Sequence, residues 1–126
     1  MRVLVDTSVW IDYFKSGVDS TEVDKLIENN VVYTNDLILT ELIPYLRLKN
    51  QISIINIIKE ISVFPLFIDW LEIQDFQFKC LKSGLNGIGI PDLIIAQNAK
   101  QNNGYIFTFD KHFNLSKDIL SINVYI

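Results

Sequence analysis

The sequence predicts an α/β domain built on a mainly parallel sheet. Three observations carry that reading. The first run, reaching "VLV" (Val3 to Val5), is apolar on consecutive positions and rich in valine, which suits a strand buried on both faces. Runs of this kind then alternate with longer stretches whose apolar residues recur at helical spacing, and that alternation implies βαβ units. Finally, the chain of 126 residues has no low-complexity tract, internal repeat or Pro/Gly-rich linker. It is therefore read as one domain over 1–126, large enough to bury about two-thirds of its unfolded surface.

The elements follow in order. The first strand ends at Asp6, and a helix over Val9 to Phe14 comes next. Ser20 caps a second helix that carries Val23, Leu26 and Ile27 at helical spacing, and Asn29-Asn30 stop it. Val31 to Thr34 is a short second strand. Asp36 to Lys49 is helical, with Pro44 expected to kink or locally tighten it. Gln51 to Ile61 forms another helix, its isoleucines facing the core or an interface. Val63 to Ile68 reads as a third strand, placed at a sheet edge by Pro65. Asp69 to Leu81 is helical and bears Trp70, Ile73, Phe76 and Phe78, and Gly84 to Gly89 is loop. Pro91 suits the first position of a further helix, where its missing N–H costs nothing, and Asn103-Gly104 end that helix. Tyr105 to Phe109 and Ile122 to Ile126 are strands by composition.

Composition narrows the chemistry. One cysteine, Cys80, excludes an intrachain disulfide and a thiolate cluster, and is read as a small buried hydrophobe. One histidine, His112, excludes a multi-histidine zinc site and mechanisms that need a histidine pair. Carboxylates must do whatever chemistry there is. A net charge of −4, from 11 Lys plus Arg against 15 Asp plus Glu, counts against simple binding of a phosphate backbone. A hydrophobic share of 49% is high for a chain of this size, so part of the apolar surface is expected against a partner or a second copy. No segment approaches the length of a membrane span and no leader pattern opens the chain, so a cytoplasmic protein is expected.

Four acids sit in informative places. Asp6 follows "RVLV" and Asp110 follows "YIFTF", so both occupy strand ends, where open α/β sheets bind ligands. Asp6 could equally be the cap of the helix after it. Asp92 opens a helix whose next residues, Leu93 to Ala96, are all apolar, which marks that helix as central. Glu41 lies inside "ILTELI", where it faces either the crevice or solvent. Gathering Asp6, Glu41, Asp92 and Asp110 together raises their pKa values by mutual repulsion unless a cation intervenes. Oxygen donors without soft ligands select Mg²⁺ or Mn²⁺, and such ions serve phosphodiester hydrolysis.

At these residues the chain resembles the PIN-domain ribonucleases, specifically the VapC-like toxins of bacterial and archaeal toxin-antitoxin pairs. The resemblance runs through "VLVDTSVWIDYF", "LILTELI", "GIGIPDLIIAQNAK" and "IFTFDKHF", in that order, over nearly the whole chain. It implies a three-layer α/β/α fold with a parallel sheet of about five strands. It also implies a metal-dependent endoribonuclease, acting on tRNA or rRNA, with its acidic site at Asp6, Glu41, Asp92 and Asp110. Asp6 and Asp92 would bind Mg²⁺ or Mn²⁺ directly; Glu41 and Asp110 would hold metal waters or complete a second ion site. Thr108 stands where the family often has a Ser or Thr that supports the site, and Thr7 and Ser8 would lie beside Asp6. Attack of water on the phosphodiester is then in line and leaves a 5′-phosphate and a 3′-hydroxyl.

Two partners follow from the same resemblance: a second copy in a homodimer, and a small cognate antitoxin wrapping the groove near the first helices. Trp10, Tyr13 and Phe14 are either groove residues or core aromatics. Lys15, Arg47, Lys49 and Lys111 are candidate RNA contacts, each otherwise a solvated surface cation. His112 either packs near the site or touches substrate. A phosphotransfer receiver domain is disfavoured because a single acid ends the first strand, and a haloacid-dehalogenase-type phosphatase because Ser8 stands where its second Asp is required. The remaining alternative is a catalytically inactive PIN-like protein-binding module.

Overall fold

The computed structural model describes residues 1–15 and 20–125. Five short strands, β1 (Val3–Val5), β2 (Val32–Thr34), β3 (Ser62–Val63), β4 (Tyr105–Phe107) and β5 (Asn123–Val124), form one sheet in the order β3-β2-β1-β4-β5. Every pairing is parallel, with Val3 opposite both Val32 and Tyr105 and Val5 opposite Phe107. Val3, Leu4 and Val5 are wholly buried, as a central strand covered on both faces requires.

Seven helices fill the connections among the described residues: α1 (Thr7–Phe14), α2 (Ser20–Glu28), α3 (Asp36–Leu48), α4 (Ile52–Lys59), α5 (Trp70–Lys82), α6 (Ile90–Gln101) and α7 (Lys111–Leu120). Right-handed crossovers put α1 to α4, which carry the chain outward from β1 to β3, on one face of the sheet. They put α5 to α7, which return it to β4 and on to β5, on the other. The packing agrees, since α1 lies on α2 and α3, α3 on α4, and α5 on α6 and α7. The result is the expected three-layer α/β/α sandwich. The direction of progression reverses between β1 and β4, so the loops leaving these two strands diverge and open a crevice at their carboxyl ends.

Asparagine and glycine end four of the helices in the same way. Asn30, Asn50, Asn103 and Gly84 all have positive φ. In each case the following N–H reaches back to close the last turn, as in Val31 to the Leu26 carbonyl and Leu85 to the Cys80 carbonyl. α6 is the central helix: every residue from Leu93 to Ala99 is buried. Cys80 is buried in the core, where desolvation pushes its thiol pKa up.

Several boundaries differ from the sequence reading. α1 starts at Thr7 rather than Val9, directly after Asp6. The third strand, expected over Val63 to Ile68, is only Ser62–Val63. Phe64 N–H still bonds the Thr34 carbonyl, but Pro65 has no N–H to continue the ladder and its carbonyl is taken by the Asn98 side chain. β4 stops at Phe107 because Thr108 turns the chain into α7, a helix the sequence reading did not identify. β5 reaches only Val124; its expected end, Ile126, and the capping side chain of Ser20 lie outside the described residues. α3 runs through Pro44 to Leu48 without ending. No helix among the described residues is long and apolar enough to cross a membrane.

Candidate active site

Asp6 is the first residue past β1 and its backbone is pinned to the neighbouring strand, N–H to the Phe107 carbonyl at 2.9 Å. It stands at the N-cap position of α1 in extended conformation, yet its side chain makes no capping hydrogen bond. The carboxylate is 7% exposed and receives two hydroxyls on one oxygen: Ser8 Oγ donates to Oδ2 at 2.9 Å and Thr108 Oγ1 at 2.8 Å. Each hydroxyl is itself fixed from behind. Ser8 Oγ accepts the Phe109 N–H at 3.1 Å, and Thr108 Oγ1 accepts the Asp110 N–H at 3.0 Å. The two oxygens lie 3.5 Å apart. The β1 and β4 ends are thereby stitched together around Asp6.

The other three acids arrive on different elements. Glu41, two turns into α3, turns toward Asp6 and accepts the Thr7 hydroxyl at 3.1 Å on Oε1. Burial holds its pKa above the ordinary value, the Thr7 hydrogen bond opposes that rise, and the Asp6 charge adds to it. Asp110 caps α7, its Oδ1 accepting the His112 N–H at 2.9 Å and lying 2.8 Å from His112 Nδ1. Asp92 sits in the first turn of α6, half-buried, with its pKa raised to about 6. Burial is the main cause, followed by the charges of Asp110, Asp6 and Glu41, with a backbone hydrogen bond from Gly89 opposing. Asp92 therefore feels the charge of all three other acids, and Glu41 that of Asp6.

A pattern runs through the set. Asp6, Glu41 and Asp110 each have one carboxylate oxygen held by protein donors, while the second has none among the described residues. No Lys or Arg pairs with any of the four among the described residues; only the His112 imidazole meets one of them. Carboxylates so oriented, crowded and left without a counter-charge form an oxygen-donor set that fits a hard divalent cation. Among the described residues, no three acidic, histidine or cysteine side chains stand close enough together to hold a metal ion as placed.

The PIN-domain profile matches residues 3–116. The chain belongs to the PIN-domain family. By sequence alone, no curated protein matches it. Solved structures share the fold: VapBC2 from Rickettsia felis bound to a DNA fragment from their promoter (TM-score 0.78, 18% identity, 99% of this chain and 98% of that one). FitAcB from Neisseria gonorrhoeae matches with a TM-score of 0.76 at 20% identity, over 98% and 96% of the two chains. DNA-bound VapBC from Salmonella typhimurium matches with a TM-score of 0.75 at 15% identity, over 99% and 97%.

Within this PIN domain, hydrogen bonds join Asp6 to Ser8 and Thr108 and join Thr7 to Glu41, and Asp92 lies near enough to Asp110, Asp6 and Glu41 for their charges to raise its pKa. Trp10 does not belong to a surface groove: it is 1% exposed and packs in the core, stacked on Phe14 at 5.7 Å. Tyr13 and Phe14 are half-buried, and Tyr13 donates to Asp24. Lys15 and Lys49 flank a 280 Å³ groove between α1 and α3 that is floored by Ile11, Phe14 and Tyr45. Lys111 lies on a separate cleft, beside Asp110. His112 packs beside the site, as one of its two expected roles had it. A Cβ on Gly87 would stand 2.7 Å from His112 Nε2, so the imidazole packs on a bare glycine and couples the loop leading to Asp92 with the turn holding Asp110. The doublet "GIGIP" ahead of Asp92 was the available signal.

Proposed function

We infer that the crevice is the site of a Mg²⁺- or Mn²⁺-dependent endoribonuclease and that the chain is the toxin of a toxin-antitoxin pair, cleaving tRNA or rRNA. The observation that carries this reading is the nearness of Asp110, Asp6 and Glu41 to Asp92, whose pKa their charges help to raise, with no Lys or Arg pairing any of the four among the described residues. A bound divalent ion supplies there the charge that lowers the pKa of water and offsets negative charge on the phosphodiester oxygens in the transition state. Asp6 and Asp92 would hold such an ion directly, and Glu41 and Asp110 would hold its waters or complete a second ion site. Ser8 and Thr108, both donating to Oδ2, keep the Asp6 carboxylate from rotating.

Membership of the PIN family and the neighbours named VapBC support the toxin reading and a cognate antitoxin as partner. The α1–α3 groove offers an apolar floor for a segment of that antitoxin. Exposed Phe67, Trp70, Leu71 and Phe78 supply apolar surface for a homodimer. The test is cleavage of a total tRNA and rRNA pool by the antitoxin-free chain with Mg²⁺ or Mn²⁺, against EDTA and Asp6→Ala. Discrete cuts that vanish in both controls are expected. A folded, metal-loaded chain that cleaves nothing is instead a binding module.

A further inference from the structure

We propose that the cleft alongside Asp110, walled by α7 and the ends of β4 and β5, is a nucleotide subsite that holds single-stranded RNA next to the scissile phosphate. This rests on the ribonuclease reading and extends it from the reacting phosphate to the neighbouring nucleotide. The cleft encloses 660 Å³, within the range of about 300–1,000 Å³ typical of small-ligand sites. It begins at Thr108 and Asp110, so an occupant is continuous with the acidic crevice.

The wall of the cleft has the composition a nucleotide needs. Lys111, Asn114 and Lys117 recur at three-residue spacing along the outer stripe of α7 and all three line the cleft. The intervening Phe113 and Ser116 point into the core, which fixes that stripe outward. Neither lysine joins an ion pair among the described residues. In a chain of net charge −4, two cations on the same wall without an ion pair among the described residues, one of them next to the acidic residues, are placed for phosphates on either side of the cut.

Phe109 supplies the base platform. It is 46% exposed, two residues past the buried end of β4, and its ring is braced edge-on by Phe107 at 5.8 Å. Its N–H is anchored on Ser8 Oγ, which ties the platform to the group orienting Asp6. A braced aromatic face beside lysines is the arrangement that stacks unpaired bases without regard to sequence. Glu22, the acid on the opposite wall, is engaged by the Tyr125 hydroxyl. Asn114 offers an amide to a base edge or sugar.

The test uses the full chain with a labelled, mixed-sequence, single-stranded RNA. Binding is read by fluorescence anisotropy on the Asp6→Asn background, which removes cleavage and one repelling charge, and kinetics are read on the otherwise native chain. Lys111→Ala and Lys117→Ala should each weaken binding and reduce the slope of log affinity against log salt by about one. Phe109→Leu, which keeps the apolar bulk, should weaken binding by about ten-fold with the slope unchanged. In cleavage these three changes should raise KM and leave kcat near its native value. Unchanged RNA affinity, slope and KM in all three variants would overturn the subsite even if the chain cleaves RNA. Loss of polyglutamate binding in the variants, with RNA binding intact, would overturn it in favour of an acidic protein partner. If the native chain binds RNA through these residues yet cuts none with Mg²⁺ or Mn²⁺, the subsite stands and the nuclease reading falls.

Discussion

The Asp92 carboxyl shows how the site stores repulsion. The folded chain holds its proton more tightly than the unfolded chain does, because the native pKa is about 6 against an ordinary 3.8. The stability linked to that proton is full below the unfolded value and is lost as the pH rises through about 6. Since the group is only half-buried, solvent screening reduces the effect to about 1 kcal/mol. Asp92→Asn is therefore expected to stabilise the metal-free chain by about that amount at neutral pH and hardly at all below the unfolded value of 3.8, as urea unfolding at the two pH values would measure. The same substitution should abolish cleavage, so stability and activity move in opposite directions. At Asp6 the expectation differs. Ser8→Ala and Thr108→Val remove one donor each from Oδ2, and each should weaken Mn²⁺ affinity by about ten-fold, the lower end of what outer-shell partners contribute. Calorimetric titration of Mn²⁺ into the two variants checks this, with the unfolding midpoint as the control for a merely structural loss.

At the scale of elements, the acids are held by helices whose own positions are set by buried amides. Asn35 is wholly buried, caps α3 through Ile38 N–H at 2.8 Å, and donates to Asn98 Oδ1 of α6 at 2.9 Å. α3 carries Glu41 and α6 carries Asp92, so this bridge sets two of the four acids relative to each other. Asn35→Ala should cost about 2–3 kcal/mol, combining a lost cap with an orphaned amide on Asn98, and chemical denaturation would read it. Asn35→Asp should retain the cap but lose the donor to Asn98. The strands and most helices were legible because their signals are local: consecutive valines, apolar spacing, and Asn or Gly at helix ends. The Asn35–Asn98 bridge was not, since it joins residues 63 apart whose polar character reads as surface until both are seen buried. The truncation of β3 shares that cause, because Pro65 alone does not reveal that Asn98 would take its carbonyl. α7 escaped notice because Lys111 to Leu120 mixes polar and apolar residues without a strong start, its cap being the same Asp110 that was read as a site residue.

Over the whole molecule, the reversal of strand order between β1 and β4 decides where chemistry can occur, and it brings together acids separated by as many as 104 positions, from Asp6 to Asp110. The grouping of the four was an expectation drawn from their placement at strand ends and within the central helix, reinforced by the family pattern. The orientation of Asp6, Glu41 and Asp110, one oxygen tethered and one free, came only from the folded chain. A site assembled from four elements should couple metal binding to global stability. Saturating Mg²⁺ at about a hundred times its dissociation constant is expected to stabilise the native chain by about 2.7 kcal/mol, visible as a rise in melting temperature that Asp6→Asn abolishes. The most direct test of the carboxylate crevice as a metal site is a Mn²⁺ titration followed by the loss of free-ion electron paramagnetic resonance signal, comparing the native chain with Asp92→Asn. Saturable binding that disappears in the folded variant is the expected result. No binding by the native chain, or equal binding by both, would contradict a metal-dependent site at Asp6, Glu41, Asp92 and Asp110.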